Sequence, residues 1–260
     1  MNLRATFSGM PQPPAYDILG TAVARIGWDE ALALLRRLLA EKRFTKVGFL
    51  NAHNANVACG DATFAGALSR FLVLPDGVGV DIAARLLYGA AFPANLNGTD
   101  FIPAFLRSVD ASLKVGLLGA TRHNAEAAAA ALARLAPQHR YEVVHDGYFT
   151  REQDQKIAGK IAALRPDILL VAMGVPRQEL WIDRNVTGSH CTLPIAVGAL
   201  LDFLSGSVPR APSWMRRFRV EWLYRLALEP GRLWRRYVLG NPLFLVRVLR
   251  QKLLGGGRRP

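Results

Sequence analysis

The 260-residue sequence predicts an α/β fold, a Rossmann-like, mostly parallel sheet with helices on both faces, plus a basic helical C-terminal appendage. Two observations predict it. Short apolar runs alternate with longer amphipathic segments, which is the pattern of βαβ units. Residues 207–260 contain 13 of the 33 Lys and Arg residues but only 2 of the 20 Asp and Glu residues. The expected parts are a flexible leader (1–15), an α/β core (16–206) and a cationic helical appendage (207–260).

The first part of the core contains a predicted helix and two predicted strands. Residues 28–43 repeat their apolar side chains at helical spacing, opposite a charged face. The runs KVGFL (46–50) and RFLVL (70–74) have the length and composition of strands buried on both faces. The apolar positions of the helix are Ala31, Leu34, Leu35, Leu38 and Leu39.

The alternation of strand and helix continues through the second part of the core. An alanine-rich helix is expected to end near Leu135, and Thr150 with Gln153 forms a candidate capping box at the start of another helix. Since the carboxyl ends of parallel strands share one edge of a sheet, a ligand is expected beyond that edge. The predicted strands lie within 114–120, 141–149, 167–174 and 193–200.

Prolines divide the appendage into short helices. Pro230 would break a continuous helix but suits the first turn of a new one, so helices are expected at about 220–228 and 231–239. The Gly-Asn-Pro sequence at 240–242 is expected to stop the second helix. Residues 243–254 then form a helix that either lies at a membrane interface, with its arginines at the headgroups, or packs on the core.

The uneven charge indicates a polyanionic partner. The chain carries a formal charge of +13, nearly all of it in the appendage, so nucleic acid, an anionic membrane face and phosphorylated ligands are all candidates. Cys59 and Cys191 form no CxxC pair, which argues against a disulfide framework or a thiolate zinc site. No run approaches the ~20 apolar residues of a spanning helix, and the N-terminus lacks the apolar core of a signal peptide, so peripheral membrane contact is expected.

Glycine turns follow several predicted strands, but they do not form a standard nucleotide motif. The chain has neither G-x-G-x-x-G nor G-x-x-x-x-G-K-[ST], which disfavours a standard dinucleotide or P-loop site. It also has no D-x-D pair, the usual carboxylate clamp for a nucleotide-bound metal ion. Phosphates would therefore be bound by helix N-termini and arginines.

Polar side chains follow three of the predicted strands. Asp76, in LPDGVG, is either a turn aspartate that bonds its own backbone or a general base facing a ligand. NAHNAN, which begins at Asn51, offers polar contacts, although a lone histidine such as His53 is more often structural than catalytic. Gln178 and Glu179 would either orient a sugar or phosphate or cap the helix that follows.

Taken together and in order, these segments resemble the WecG/TagA/CpsF glycosyltransferases (glycosyltransferase family 26). The resemblance extends from about residue 16 to residue 245, and the order of its motifs is far more specific than any single glycine turn. The segments that carry it are LPDGVGVDIAARLL, NLNGTDFIPA, LLGATRHNAEAAAAAL, HDGYF, PDILLVAMGVPRQELWI, VGALLDFLSGSVPRAPSWM and EWLYRLALEPGRLWRRYVLGNPLFL.

The resemblance implies an inverting glycosyltransferase of cell-surface or exopolysaccharide synthesis. It would move an N-acetylmannosamine-type or related hexose from a UDP-sugar to a polyprenyl-diphosphate-linked saccharide, with no cofactor and no divalent metal. It implies a cytoplasmic enzyme, peripherally associated with the inner face of the cell membrane through the appendage. Its partners would be the UDP-sugar, the lipid-linked acceptor and an anionic membrane surface, with no nucleic acid; self-association stays open.

The resemblance also implies roles for individual residues. Asp76 matches the base that deprotonates the acceptor hydroxyl, and Asn51 and Gln178 match polar active-site positions. Two other hypotheses remain: a nucleic-acid-binding protein that uses its arginine- and aromatic-rich tail, and a nucleotide-binding regulator without catalysis. The appendage arginines expected over the diphosphate are Arg225, Arg232 and Arg235, and the further substrate-binding candidates are Gly147, Tyr148, Gly174 and Asp202.

Overall fold

The structure, a computed structural model, describes residues 13–212, 215 and 221–255. In these residues the strands form one eight-stranded sheet, which confirms the predicted α/β fold. The strands are β1 (Ala15–Ile18), β2 (Thr21–Ala24), β3 (Val47–Leu50), β4 (Leu72–Pro75), β5 (Lys114–Gly119), β6 (Arg140–His145), β7 (Ile168–Ala172) and β8 (Leu193–Ala196).

Helices connect these strands and form the C-terminal appendage, whose helical character is also confirmed. Those of the core are α1 (Trp28–Ala40), α2 (Ala52–Gly60), α3 (Ala62–Leu68), α4 (Val78–Tyr88), α5 (Gly98–Arg107), α6 (Arg122–Leu135), α7 (Asp154–Leu164), α8 (Arg177–Asn185) and α9 (Leu200–Ser205). Those of the appendage are α10 (Glu221–Leu228), α11 (Pro230–Trp234), a π-helical turn (Arg235–Leu239) and α12 (Gly240–Leu253).

The strand order is β1-β2-β4-β3-β8-β7-β5-β6. β1 runs antiparallel to β2, and the remaining pairs of neighbours are parallel. The carboxyl ends of β2 to β8 therefore point to one edge of the sheet, and the loops that follow them lie together there.

Both faces of the sheet are buried, as the apolar runs predict. Along β7, Ile168 and Leu170 belong to one core cluster, while Leu169 and Val171 belong to the other. Helices α1, α5, α6 and α9 supply the first cluster, and α2, α3, α4, α7, α8 and α12 supply the second. A strand with apolar side chains on both faces is typical of a parallel sheet covered by helices on each side.

The predicted helix at 28–43 and the six predicted strands are all present. The capping box is present too, since the Thr150 N–H donates to Gln153 Oε1 at 3.1 Å, but it opens a 3₁₀ turn directly before α7. The β1–β2 hairpin was not predicted, and Leu19 and Gly20 form its two-residue turn with φ of 52° and 84°. Of the predicted leader, residues 1–12 lie outside the described residues, and Ala15 is the first residue of β1.

The prediction that Gly-Asn-Pro at 240–242 ends the second appendage helix is wrong. Two appendage helices begin close to the predicted positions, but the chain stays helical through residue 253. A proline inside a helix crowds the carbonyl four residues before it and lacks an N–H. The π-helical turn ends at Leu239, three residues before Pro242, and its wider backbone includes Val238, the residue four positions before the proline, which lets the helix continue. The Gly240 carbonyl also accepts a hydrogen bond from Asn56 Nδ2 at 2.6 Å.

Helix α12 packs on the core through one face. Phe244 and Val248 are buried in the second core cluster. Arg247 donates to the carbonyl and to Oδ1 of Asn56 at 3.0 and 2.9 Å, so of the two alternatives for this helix the structure shows packing on the core at this face. Arg250 is exposed. The carbonyl and amide oxygens of partly buried Asn56 give Arg247 partners that compensate for its partial loss of water.

The C-terminal end of α12 is joined to the N-terminal hairpin. Gln251 Oε1 accepts the Leu19 N–H at 2.9 Å, and Gln251 Nε2 donates to the carbonyl and to Oδ1 of Asp17 at 3.1 and 3.0 Å. The first strand pair and the last helix of the described chain are thus directly bonded.

The opposite face of α12 exposes a row of apolar side chains, here named the outer apolar face. The outer apolar face consists of Leu243, Val246, Leu249 and Leu253, which are 46, 54, 46 and 85% exposed.

Within the described residues no helix is both long and apolar enough to span a bilayer.

Candidate active site

Asp76 and Asn51 lie side by side because their strands are neighbours in register. Leu50 at the end of β3 pairs with Pro75 at the end of β4, so the next residue of each strand emerges at the same point of the edge. Asn51 Nδ2 donates to Asp76 Oδ2 at 3.1 Å. The Asp76 N–H donates to the Leu50 carbonyl at 2.9 Å, which fixes the backbone of the aspartate.

The side chain of Asn51 has a defined orientation. It is the N-cap of α2, and its Oδ1 accepts the N–H of Asn54 at 3.0 Å. Since the oxygen of the amide is used by the helix, its NH₂ group faces Asp76. Asn51 therefore binds one carboxylate oxygen of Asp76 and leaves the other for a ligand.

The environment of Asp76 makes its carboxylate a stronger base. Burial raises its pKa above the ordinary value, and the hydrogen bond from Asn51 and the charges of Arg236 and Arg225 oppose that rise only in part. A carboxylate with a raised pKa is a stronger base in its ionised form.

Asp76 lines a cavity of about 350 Å³ between the carboxyl edge of the sheet and the appendage, here named the central cavity. The core contributes polar groups to it, and the appendage contributes arginines and aromatic rings. Its lining includes Asn51, His53, Asp76, Asn95, Asn97, Thr99, Asp100 and Phe203 from the core and Glu221, Trp222, Arg225, Arg236, Tyr237 and Phe244 from the appendage.

Two appendage arginines line the central cavity, and only one of them was predicted. Arg225 does so, with its guanidinium 5.2 Å from the centre of the Phe203 ring. Arg236, which was not singled out, does so as well. Arg235, which was predicted, is exposed and stacks on Trp234 at 5.6 Å, so the structure does not bring it to the cavity.

The side chain of the third predicted arginine, Arg232, lies outside the described residues. Its backbone is in α11, between Pro230 and Trp234.

His53 contributes a neutral ring to the cavity wall. It follows Asn51 by two residues, in the first turn of α2. Burial, together with the positive charge of Arg236, lowers its pKa to about 4. At neutral pH the imidazole is therefore uncharged. Among the described residues, the cationic groups that line the cavity are the guanidiniums of Arg225 and Arg236.

Gln178 is buried and is not among the residues that line the central cavity. Its Nε2 donates to Glu179 Oε1 at 2.9 Å, and its Oε1 accepts the N–H of Gly198 at 3.1 Å. Burial raises the pKa of Glu179 to about 7. Through its bond to Gly198, Gln178 holds the loop between β8 and α9, the helix that carries Phe203. An active-site role for Gln178 stays a prediction.

The four other predicted binding residues lie at the same edge of the sheet but outside the lining of the cavity. Gly147 and Tyr148 follow β6, Gly174 follows β7, and Asp202 lies on α9 after β8. Tyr148 is 75% exposed, so its ring is available to a ligand.

The loop after β6 is held close to the end of β5. The φ of Gly119 is 130°, and a Cβ there would lie 2.2 Å from the Ala172 carbonyl, so only glycine fits. The Gly147 N–H donates to the Ala120 carbonyl at 2.8 Å. Arg177 donates to the Gly147 carbonyl, also at 2.8 Å, which fixes the turn that presents Tyr148.

Several polar residues of the cavity were not named as candidates, although NLNGTDFIPA contains four of them, Asn95, Asn97, Thr99 and Asp100. Asn95 Oδ1 accepts the Gly77 N–H at 2.8 Å and so braces the turn after Asp76. Asn97 is the N-cap of α5, where its side chain accepts the Asp100 N–H at 3.0 Å. Thr99 lies in the first turn of the same helix. The sequence signal that could have identified them is the N-x-N-x-T spacing at the start of a helix.

Metal-binding groups were searched for in the part of the chain that the structure describes. There, no three His, Cys, Asp or Glu side chains cluster as ligands of a metal ion would.

Comparison with known proteins identifies relatives along most of the chain. An N-acetylglucosaminyldiphosphoundecaprenol N-acetyl-beta-D-mannosaminyltransferase of Bacillus spizizenii is 34% identical over 181 residues, which are 69% of this chain and 68% of that protein. The Bacillus subtilis protein of the same name is 31% identical over 222 residues, 84% of each chain. The Staphylococcus aureus protein of that name is 34% identical over 139 residues, 54% of this chain and 53% of the relative.

A family model matches nearly the whole sequence. The matching description is the glycosyl transferase WecG/TagA/CpsF family, over residues 16–257. This range contains the residues that line the central cavity and the loops that follow β3 to β8 at the carboxyl edge of the sheet. The chain therefore belongs to the WecG/TagA/CpsF family of glycosyltransferases.

Proposed function

We propose that this glycosyltransferase moves an N-acetylmannosamine-type hexose from a UDP-sugar to a polyprenyl-diphosphate-linked saccharide, with inversion and without a divalent metal. The observation that carries the proposal is Asp76, oriented by Asn51 in a cavity that Arg225 and Arg236 also line. The relatives are named as transferases of N-acetylmannosamine to N-acetylglucosaminyl-diphosphoundecaprenol, which supports the choice of sugar and acceptor.

Asp76 is the proposed base. Its carboxylate takes the proton of an acceptor hydroxyl while that oxygen forms a bond to the anomeric carbon of the donor. The bond from that carbon to the β-phosphate oxygen breaks on the opposite face, so the configuration inverts and the electron pair leaves with UDP. The raised pKa of Asp76 strengthens the base, and its bond to Asn51 holds it in place.

Arg225 and Arg236 are the proposed partners of the leaving diphosphate. Negative charge builds up on the β-phosphate as the glycosidic bond breaks, and fixed guanidiniums in an enclosed site stabilise such charge. Arg225 Nε is buried and has no hydrogen-bond partner in the residues described. A buried donor of this kind is costly unless a ligand satisfies it, which supports an anion here.

The loops after β6, β7 and β8 are proposed to bind the rest of the donor nucleotide. Gly147, Tyr148, Gly174 and Asp202 share the sheet edge with Asp76. Their strands lie on the far side of β3 from β4, so a nucleotide bound there would extend its diphosphate along the edge toward the central cavity. Exposed Tyr148 offers a ring for base stacking.

The test is UDP release from a panel of UDP-sugars, with and without a polyprenyl-diphosphate-linked acceptor, in the presence of EDTA. One donor is expected to give acceptor-dependent release at a rate that neither EDTA nor added Mg²⁺ changes by more than about twofold, because arginines take the place of the metal. A strict requirement for Mg²⁺ or Mn²⁺ would contradict metal independence. Retained configuration at the new linkage, read by NMR, would contradict direct displacement.

We also propose that the outer apolar face contacts an anionic membrane surface, at the inner face of the cell membrane. Exposed leucine and valine side chains beside the cation of Arg250 give the apolar and basic contacts that an interfacial helix uses. This position would place the central cavity near a lipid-linked acceptor.

Changing Val246 and Leu253 together to Ser is expected to lower binding to anionic vesicles by about tenfold or more, since each inserted aliphatic chain contributes on the order of 1 kcal/mol. Sedimentation with phosphatidylglycerol vesicles measures this, and activity toward a short-chain, water-soluble acceptor should be unchanged. The matched control is Leu135→Ser, an exposed leucine (41%) on α6. Equal losses in both variants, or none, would show that the outer apolar face is not the contact.

A further inference from the structure

Two aromatic side chains of the appendage line the central cavity together with Asp76. They are Trp222 on α10 and Tyr237 in the π-helical turn. Their ring centres are 5.7 Å apart and the rings are inclined by 52°. Both residues are half-buried, so they are fixed by packing while part of each remains open.

The core lines the same cavity with small polar side chains. Asn95, Asn97 and Thr99 contribute two amides and a hydroxyl, and Asn95 and Asn97 are fixed by their bonds to the backbone. The cavity therefore combines aromatic rings from the appendage with hydrogen-bonding groups from the core. Such a combination fits a ligand with one apolar face and a polar rim.

A pyranose ring with mostly equatorial substituents is a ligand of this kind. Its C–H bonds form an apolar face, while its hydroxyls and any N-acetyl group lie around the rim. The face of an aromatic ring carries partial negative charge and attracts the weakly positive C–H hydrogens, and stacking removes both apolar surfaces from water.

Position distinguishes the acceptor sugar from the donor nucleotide. If Asp76 takes the proton of the acceptor hydroxyl, the sugar that carries this hydroxyl must lie beside Asp76. The loops proposed for the nucleotide follow β6, β7 and β8, whereas Asp76 follows β4. A cavity of about 350 Å³ is also at the small end of ligand sites, too small for a whole sugar nucleotide and an acceptor together, which leaves the nucleoside to those loops.

We infer that Trp222 and Tyr237 form a stacking wall for the pyranose ring of the acceptor, and that this wall selects acceptors with an uninterrupted C–H face. The inference rests on the proposed function and assigns one part of the cavity to one substrate. Neither residue takes part in proton transfer, so loss of the Trp222 ring weakens acceptor binding and leaves the donor side intact. Tyr237 also lies under the Arg236 guanidinium, 5.5 Å from its ring centre, so its loss affects the diphosphate contact as well.

The test compares Trp222→Leu and Trp222→Phe in steady-state assays. Trp222→Leu is expected to raise the KM for the acceptor about tenfold, because a stacked ring is lost, while the KM for the donor changes by less than about twofold. Trp222→Phe should recover most of the acceptor affinity because it restores an aromatic face. The matched control is Trp234→Leu, since Trp234 belongs to the same appendage, is 42% exposed and does not line the cavity.

A sugar-free polyprenyl diphosphate, used as a competitive inhibitor, separates the sugar from the lipid. Its inhibition constant should be the same in wild type and Trp222→Leu, because the wall contacts only the sugar. A several-fold rise in that constant would assign the wall to the lipid or the diphosphate and overturn the inference. An unchanged acceptor KM in Trp222→Leu, or an equal rise in both KM values, would overturn it as well.

Tyr237→Leu repeats the test from a different helical segment. If Trp222→Leu does not fold, as judged by thermal unfolding, Tyr237→Leu and Tyr237→Phe are compared by the acceptor KM alone, because Tyr237 also packs against Arg236 and its loss can raise the donor KM. An acceptor KM that stays at the wild-type value in Tyr237→Leu would then overturn the inference. Failure of the proposed function would look different, since the wild-type protein itself would then release no UDP in an acceptor-dependent way.

Discussion

Replacing Asp76 with Asn is expected to lower acceptor-dependent sugar transfer by about 10²–10⁴-fold, because the substitution removes the general base but keeps the shape of the side chain. UDP binding, measured by calorimetry, should stay within about threefold of wild type, since the base does not contact the nucleotide in the proposed mechanism. Turnover near the wild-type rate in this variant would contradict the assigned role of Asp76.

The pH dependence of the transfer rate tests the Asp76 carboxylate in a second way. Asp76 must be ionised to act as a base, so the wild-type rate falls as the pH drops through its pKa. Because burial raises that pKa, the fall should occur at a higher pH than for an ordinary aspartate. The residual activity of Asp76→Asn should lack this acidic limb.

A matched carboxylate controls for charge in the cavity. Asp100 also lines it and is bonded to Arg210 at 2.8 Å. Asp100→Asn removes one negative charge from the same space, and we expect less than about a tenfold loss of transfer, the size of a modest change in local charge. A loss as large as that of Asp76→Asn would show that net charge, rather than the base, is what matters.

Changing Arg236 to Ala is expected to lower kcat/KM for transfer by about 10²–10³-fold, the usual cost of removing one preorganised contact to developing charge. Changing its neighbour Arg235 to Ala should cost less than about threefold, because that side chain is exposed on Trp234. The two variants have the same net charge, and their positions differ by one residue.

Kinetics of the two variants with the same donor and acceptor decide between them. A large loss for Arg235→Ala and a small one for Arg236→Ala would reverse the assignment and return to the arginines chosen from the sequence. Arg236→Lys should restore only part of the rate, since a lysine is a point charge and does not reproduce the two-pronged contact of a guanidinium. Full restoration would indicate a purely electrostatic role.

The sheet could be predicted because its strands carry their own signal. Strands that are buried on both faces appear in the sequence as uninterrupted apolar runs, as do β3, β4, β7 and β8. Asn51 and Asp76 could be identified because they directly follow two of these runs. That these two side chains touch depends on the register of β3 and β4, which is a tertiary property. The β1–β2 hairpin was missed because its four-residue strands are too short for alternation to be recognised.

The inward-facing arginine could not be chosen from the sequence. In a regular helix, spacing tells which of two neighbouring arginines shares a face with a third residue. The π-helical turn at Arg235–Leu239 changes that spacing, and the break at Pro230 changes the direction of the helix. Gln178 illustrates a different limit, since its burial depends on the packing of α8 against the sheet and not on its own motif.

The bond between Gln251 and the N-terminal hairpin has a consequence for how the protein matures. Asp76, the proposed base, is synthesised well before Arg236 and the two rings of the proposed stacking wall, which follow residue 220. Until residues 221–253 have been synthesised, the nascent chain therefore lacks the appendage side of the cavity that Asp76 lines. The bonds of Gln251 then attach α12 to the hairpin. A chain terminated before residue 221 would lack Arg236, Trp222 and Tyr237, so we expect it to be inactive in the proposed sugar transfer.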